Sequence, residues 1–266
     1  MAVLAFENDT GDDPRIAANL NLLFAPGSSL GGARPKASLL DPSGHLWIAK
    51  FPSQNDLTDV GAWEAATYEL AKNCGISVSE AKAQRFLNKH HTFFSKRFDR
   101  TSENKRVHFA SAMTLLQRKD GDNHHSGASY LELVDFIVSS ISPSKADQNL
   151  EELWRRIVFS IAVSNSDDHL RNHGFLLSSE GWELSPAYDI NPNELASGLS
   201  LNISLDSNAL DFDLALSVAN FFRVSPKKAQ AILDLTKTEV AKWQKFADKY
   251  GIHRSEQQRM AKAFRY

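Results

Sequence analysis

The chain has 266 residues, enough for one large domain or two lobes, and its 42% hydrophobic and 23% charged content is that of an ordinary globular protein. A formal net charge of −2 supplies no global positive field, so no direct nucleic acid binding is expected. The single cysteine, Cys74, excludes an internal disulfide or a thiolate zinc cluster and points to a reducing, cytoplasmic setting, while the lack of a basic signal-peptide start and of an 18-residue apolar run argues against a membrane.

The first 25 residues run from a short apolar stretch through the turn-forming NDTGDDP into a predicted helix around Ile16 to Phe24. A Gly/Ser/Pro loop, SSLGGARPKASLL, then feeds an apolar strand. Gly31 and Gly32 would let backbone N–H groups approach an anion, with Arg34 and Lys36 close by. No G-K-[ST] opens a helix, so this is not a Walker loop. After the turn Asp41 to Gly44, HLWIAKF reads as the returning strand of a hairpin, and it carries Lys50 where kinases place a phosphate-holding lysine.

VGAWEAATYELAKNCG follows as an amphipathic helix closed by Gly75. Both Glu64 and Glu69 are candidates to pair with Lys50, and helical periodicity does not choose between them. Cys74 is read as a packing residue at the helix end. AKAQRFL and TFFSKRF form a predicted antiparallel pair about His90 and His91, which are read as solvated. From there the pattern is helical: SYLELVDFIVSSI and NLEELWRRIVFSIAVSNS, separated at Ser142-Pro143, then LDLALSVANFF, PKKAQAILDLTKTEVAKWQKFADKY and SEQQRMAKAFRY.

The stretch from Ser164 to Asn193 is too polar for ordinary core. Asp167 to Asn172 has the D-x-x-x-x-N interval of a kinase catalytic loop, in which the Asp orients a hydroxyl and accepts its proton while the Asn binds metal. GFLL and WELS read as two strands about Ser178 to Gly181, folding Asp189 of Tyr188-Asp189-Ile190 back toward Asn172. A capped, solvated loop would account for any one of these residues, but not for the whole set in this order.

With those residues in place, the chain resembles the HipA family of bacterial serine/threonine kinases, the toxin half of a toxin–antitoxin pair. SSLGGARPKASLL corresponds to the family's glycine-rich ATP loop, WIAKFP to its lysine strand, SKRFDR to its hinge, SDDHLRN to its D-x-H-x-x-N loop and LSPAYDI to its metal aspartate. The resemblance implies an α+β, two-lobed protein-kinase-like fold, with a β-rich N-lobe over 1–97 and a mainly helical C-lobe over 98–266. It implies ATP and Mg2+, with Asp167 as base, Asn172 and Asp189 as metal ligands, and Lys50 as phosphate anchor. His169 falls where common protein kinases carry a lysine, and Arg171 would supply that charge. Adenine would meet the backbone near Lys96 to Phe98, with Asp99 at the ribose. Lys96 replaces an acid found in some relatives.

The resemblance further implies autophosphorylation of Ser29, with Ser28 as runner-up, a HipB-like DNA-binding antitoxin as partner, and an aminoacyl-tRNA synthetase as substrate. The family's extra N-terminal subdomain has almost no room here, so a separate protein supplying it, or a truncated chain, is expected. The alternatives are a small-molecule phosphotransferase and a catalytically silent antitoxin-binding module.

Overall fold

The computed structural model describes residues 34–53, 55–86 and 89–266. Strand β1 (Lys36–Leu40) and strand β2 (Leu46–Lys50) pair antiparallel with Lys36 opposite Lys50. The Asp41 carboxylate closes their turn by accepting from the His45 N–H at 2.8 Å and the Trp47 indole N–H at 2.9 Å. Gly44, at φ 83°, supplies the left-handed residue that the turn requires. Strands β3 (Ala81–Arg85) and β4 (His91–Lys96) complete an antiparallel sheet of order β1-β2-β4-β3.

Alternation sends Ala37, Leu39, Trp47, Ala49 and Phe94 to one face of that sheet, where they form a small core with Phe51. Phe93 points the other way and packs edge-on against Tyr68 at 5.0 Å. Tyr68 belongs to helix α1 (Val60–Asn73), whose N-cap Asp59 accepts from the Ala62 N–H. Gly75 follows it at φ 78°. The helix comes so close to the sheet at its start that a Cβ on Gly61 would lie 2.3 Å from the His91 carbonyl oxygen.

α1 is the helix that its sequence suggests, buried on more than its apolar stripe: ten of its residues are buried, Glu64 and Thr67 among them. Its outer face packs on the last helices of the chain, so Trp63, Trp243 and Phe264 share one core with the end of the long central helix. His91 is likewise not solvated; its Nδ1 lies 2.6 Å from Asp59 Oδ2.

Beyond residue 97 a second sheet of order β5-β6-β7 is built from β5 (His108–Ser111), β6 (Gly174–Ser178) and β7 (Gly181–Leu184). The hairpin of β6 and β7 is the one read from GFLL and WELS; β5 lies in a stretch that the sequence pattern leaves unassigned. The helices are short α2 (Ala112–Leu115), α3 (Tyr130–Ser140), α4 (Pro143–Ala162), α5 (Phe212–Val218), α6 (Pro226–Val240), α7 (Trp243–Lys249) and α8 (Arg254–Met260). A Ser129/Glu132 capping box starts α3, and Pro143 stands in the first turn of α4. Leu150, Leu153, Trp154, Ile157 and Ile161 of α4 form the spine of the larger core.

The single helical pattern predicted from PKKAQAIL to FADKY breaks at Ala241–Lys242. That break turns Trp243 flat against Phe264, with ring centroids 4.5 Å apart and planes 5° apart. The result is a two-lobed arrangement, a β-rich lobe with α1 against a mainly helical lobe. Among the described residues no helix is long and apolar enough to cross a membrane.

Candidate active site

Lys50 ends β2 and points between the lobes. Its Nζ donates to Glu64 Oε1 at 2.6 Å and to Asp189 Oδ1 at 2.9 Å, joining strand, helix and the segment after β7 at one atom. Glu64, not Glu69, is therefore the partner; Glu69 accepts instead from Lys249 Nζ at 2.8 Å. α1 also places Tyr68 one turn beyond Glu64, where its hydroxyl accepts from the Asp189 N–H at 3.2 Å. Asp189 adopts φ 57°, a conformation uncommon for a residue with a Cβ, held by these contacts from both sides.

One ammonium serves two carboxylates, and their environments separate them. Burial opposes the Lys50 charge, but Glu64 and Asp189 outweigh it and hold the ammonium above its ordinary range. The Glu64 side chain is 3% exposed and burial, the largest influence, pushes its carboxyl up to about 7 despite Lys50. Asp189 is 36% exposed; burial works against it, yet Lys50, Lys36 and His169 together hold it below the usual range. Lys36, opposite Lys50 in the hairpin, is itself lowered, first by burial and then by the Lys50 charge. The structure therefore brings Lys36, Lys50, Glu64 and Asp189 into one electrostatic neighbourhood.

The loop from Ser164 to Asn172 leaves the C-terminus of α4 through Ser164 at φ 52°. The Asp167 carbonyl accepts from the His169 N–H at 2.9 Å and from Asn172 Nδ2 at 2.8 Å, so the Asp–Asn interval is folded into a compact turn. The Asp167 side chain is 76% exposed. Partial desolvation and the charge of Asp189 raise its carboxyl above the ordinary range, with His169 opposing. His169 Nε2 lies 3.7 Å from Asp167 Oδ1, and Arg171 Nη1 forms an ion pair with Asp120 at 2.8 Å. Asn193 Nδ2 donates to Ser166 Oγ at 2.7 Å and the Tyr188 hydroxyl to the Arg171 carbonyl at 2.6 Å, tying the segment around Asp189 to this loop.

The adjacent Asp168 is the residue that sequence reasoning passed over. It is buried, its Oδ2 accepts from the Tyr130 hydroxyl at 2.6 Å and Ser160 Oγ at 2.9 Å, and its Oδ1 lies 2.7 Å from His173 Nε2. Burial disfavours its charge, but His173, Tyr130 and Ser160 hold it ionised. Asp168 anchors the loop beneath the exposed Asp167. Its place beside Asp167 was the available signal, but a pair of neighbouring aspartates does not say which one faces inward.

The hinge differs from expectation in detail. The Lys96 and Arg97 N–H groups are taken by the Glu80 and Leu46 carbonyls at 2.8 and 2.9 Å, and Lys96 Nζ lies 4.0 Å from Glu80. Phe98 packs its ring between Phe109 and Tyr188, with centroids 5.8 and 5.6 Å away. The Asp99 carboxylate, expected at a ribose, is buried and committed to two guanidinium groups, accepting from Arg97 Nε and Arg100 Nη1, both at 2.7 Å. Gly31, Gly32, Ser28, Ser29 and the helix expected near Ile16 lie outside the described residues.

Asp189 and Asn172 offer hard oxygen donors, the chemistry that suits magnesium rather than zinc or copper. Among the described residues no group of three His, Cys, Asp or Glu side chains could hold a metal by itself, so such an ion would take further ligands from phosphate and water.

A small antiparallel sheet with its lysine tied to a helix glutamate, above a helical lobe carrying an Asp–Asn loop and a distal Asp, defines a protein-kinase-like fold. Shewanella oneidensis MR-1 HipA, solved in a toxin–antitoxin complex with HipB and its operator DNA, shares it at a TM-score of 0.66 and 17% identity, over 88% of this chain and 62% of that one. The Helicobacter pylori proinflammatory kinase CtkA shares it at a TM-score of 0.50 and 14% identity, over 81% and 94%. Residues 28–264 match the HipA-like C-terminal domain, and the chain belongs to that family. A Haemophilus influenzae protein named "Putative kinase" is 29% identical over 181 residues, 61% of this chain and 52% of its own length. The chain thus spans about half of that relative.

Proposed function

We propose that this protein is an ATP-dependent serine/threonine protein kinase, with residues 1–97 as the nucleotide-covering lobe and 98–266 as the lobe that presents the acceptor. The observation that carries this reading is the bridge of Lys50 between Glu64 and Asp189, which links three elements at the spot where a triphosphate would lie. Gly31, Gly32, Lys36 and Lys50 hold the phosphates, and the backbone near Lys96 and Phe98 faces the adenine. Asn172 and Asp189 would hold magnesium, which draws charge from the phosphates when bound. Asp167 orients the acceptor hydroxyl and takes its proton while the oxygen bonds to the γ-phosphorus, the bond to the bridging oxygen breaks and ADP departs. Arg171 supplies the charge that common protein kinases draw from a lysine at the position of His169.

The family resemblance supports the finer reading: a cytoplasmic toxin that phosphorylates an aminoacyl-tRNA synthetase, autophosphorylates Ser29 or Ser28, and is restrained by a HipB-like antitoxin. The complex of Shewanella HipA with HipB supports such a partner.

The test incubates wild type and Asp167→Asn with a cell lysate and radiolabelled ATP, then maps new phosphosites by mass spectrometry. Incorporation into protein by wild type and not by the variant is expected. Equal incorporation refutes the kinase reading, and turnover of ATP without labelled protein points to a small-molecule acceptor.

A further inference from the structure

The pair of Lys50 and Glu64 is only as well placed as α1 itself, and the contacts that fix α1 come largely from the far end of the chain. Glu256, in the first turn of α8, accepts at one oxygen, Oε1, from both the Asp59 N–H and the Trp63 indole N–H, each at 2.8 Å. The first is the backbone donor at the N-cap of α1, which the helix cannot satisfy internally. The second fixes the residue directly before Glu64. The Trp63 ring then lies 6.1 Å from Trp243 and 5.9 Å from Phe264.

Two further ties complete the arrangement. The Asp59 carboxylate holds the same helix end to the sheet, accepting from the His91 N–H at 2.8 Å and lying 2.6 Å from His91 Nδ1. Toward the other end of α1, Glu69 accepts from Lys249 Nζ at 2.8 Å and from the Tyr250 hydroxyl. Between these two anchorages Glu64 faces Lys50 and Tyr68 faces the backbone of Asp189. Rotation or withdrawal of α1 would break all of them together.

We infer that Glu256 is a positioning residue for phosphoryl transfer, a carboxylate supplied by the C-terminal helices that holds α1 with Glu64 on Lys50. The inference rests on the kinase reading for its consequence, but its geometry does not. It ties the last helices of the chain to the Lys50–Glu64 pair through α1.

The experiment compares wild type, Glu256→Ala, Glu256→Gln, Glu64→Gln and the double variant Glu64→Gln/Glu256→Ala in the full chain. Glu256→Ala should raise KM for ATP by about tenfold, whereas Glu256→Gln, which keeps an acceptor oxygen for both donors, should stay within about twofold of wild type. On the Glu64→Gln background, Glu256→Ala should add less than about twofold, because its effect passes through Glu64. The same factor in both backgrounds would mean a general structural role and overturn the inference.

A second readout does not depend on catalysis. The rate at which an amine-reactive reagent labels Lys50, measured against Lys145 in the same digest, should rise at least about threefold in Glu256→Ala as α1 draws back and leaves the Lys50 amine open to the reagent. An unchanged Lys50 rate overturns the positioning role even if wild type transfers no phosphate. Failure of wild type to transfer phosphate, with Lys50 labelling altered as expected, would refute the kinase reading alone.

Discussion

Replacing Glu64 by Gln isolates the cost of keeping a carboxylate buried beside a shared ammonium. Its carboxyl is raised from an ordinary 4.5 to about 7 in the folded chain. A group whose folded pKa lies above its unfolded one binds more protons when folded, so its contribution is present at low pH and is lost as pH rises through the folded value. At about 1.4 kcal/mol for each pH unit, wild type should lose about 2–3 kcal/mol from this residue between pH 5 and pH 8. Glutamine does not titrate and loses none. The difference in unfolding free energy between variant and wild type, from urea titrations at both pH values, should therefore move by about 2–3 kcal/mol in favour of glutamine at pH 8. Nucleotide binding should move the other way, because Lys50 has lost a partner that fixes its position. A stability difference that is flat across the range, or that moves toward wild type, would mean that Lys50 keeps Glu64 ionised throughout and that burial does not govern the pair.

Three other outcomes follow from the packing. Asp168→Ala should destabilise the fold by about 3–5 kcal/mol in urea unfolding, because Tyr130, Ser160 and His173 lose their common buried acceptor. Gly61→Ala should cost about 2 kcal/mol or more, read as a lowered melting temperature, since its methyl would press on the His91 carbonyl and force α1 off the sheet. Chelation of divalent ions should abolish phosphoryl transfer, magnesium should restore it, and Asn172→Ala should raise the magnesium needed for half-maximal rate by about tenfold, measured by titration in the radiolabel assay.

The order of motifs made the two-lobed fold legible in the sequence, together with the strand, loop and hairpin that carry the candidate residues. Lys50 in a strand, the Asp167 to Asn172 interval and the hairpin before Asp189 are local patterns, and local patterns survive folding. What remained hidden was long-range. Periodicity could not choose Glu64 over Glu69, because the rotation of α1 about its axis is set by Trp243, Phe264 and Glu256, nearly two hundred residues away in sequence. Asp59 took His91 out of solvent by a contact between the start of a helix and a strand. Strand β5 has too short a pattern to announce itself, and it exists because β6 offers it an edge. Asp99 looked available until Arg97 and Arg100, both nearby in sequence, closed on it.

The aromatic junction of α1 and α7 has a practical side. Two of the chain's five tryptophans, Trp63 and Trp243, meet there, and the indole N–H of Trp63 is bonded to a carboxylate. Separating these rings would change the surroundings of both indoles, so their emission should report on whether this junction is intact. Unfolding by denaturant could be followed through it without attaching a dye.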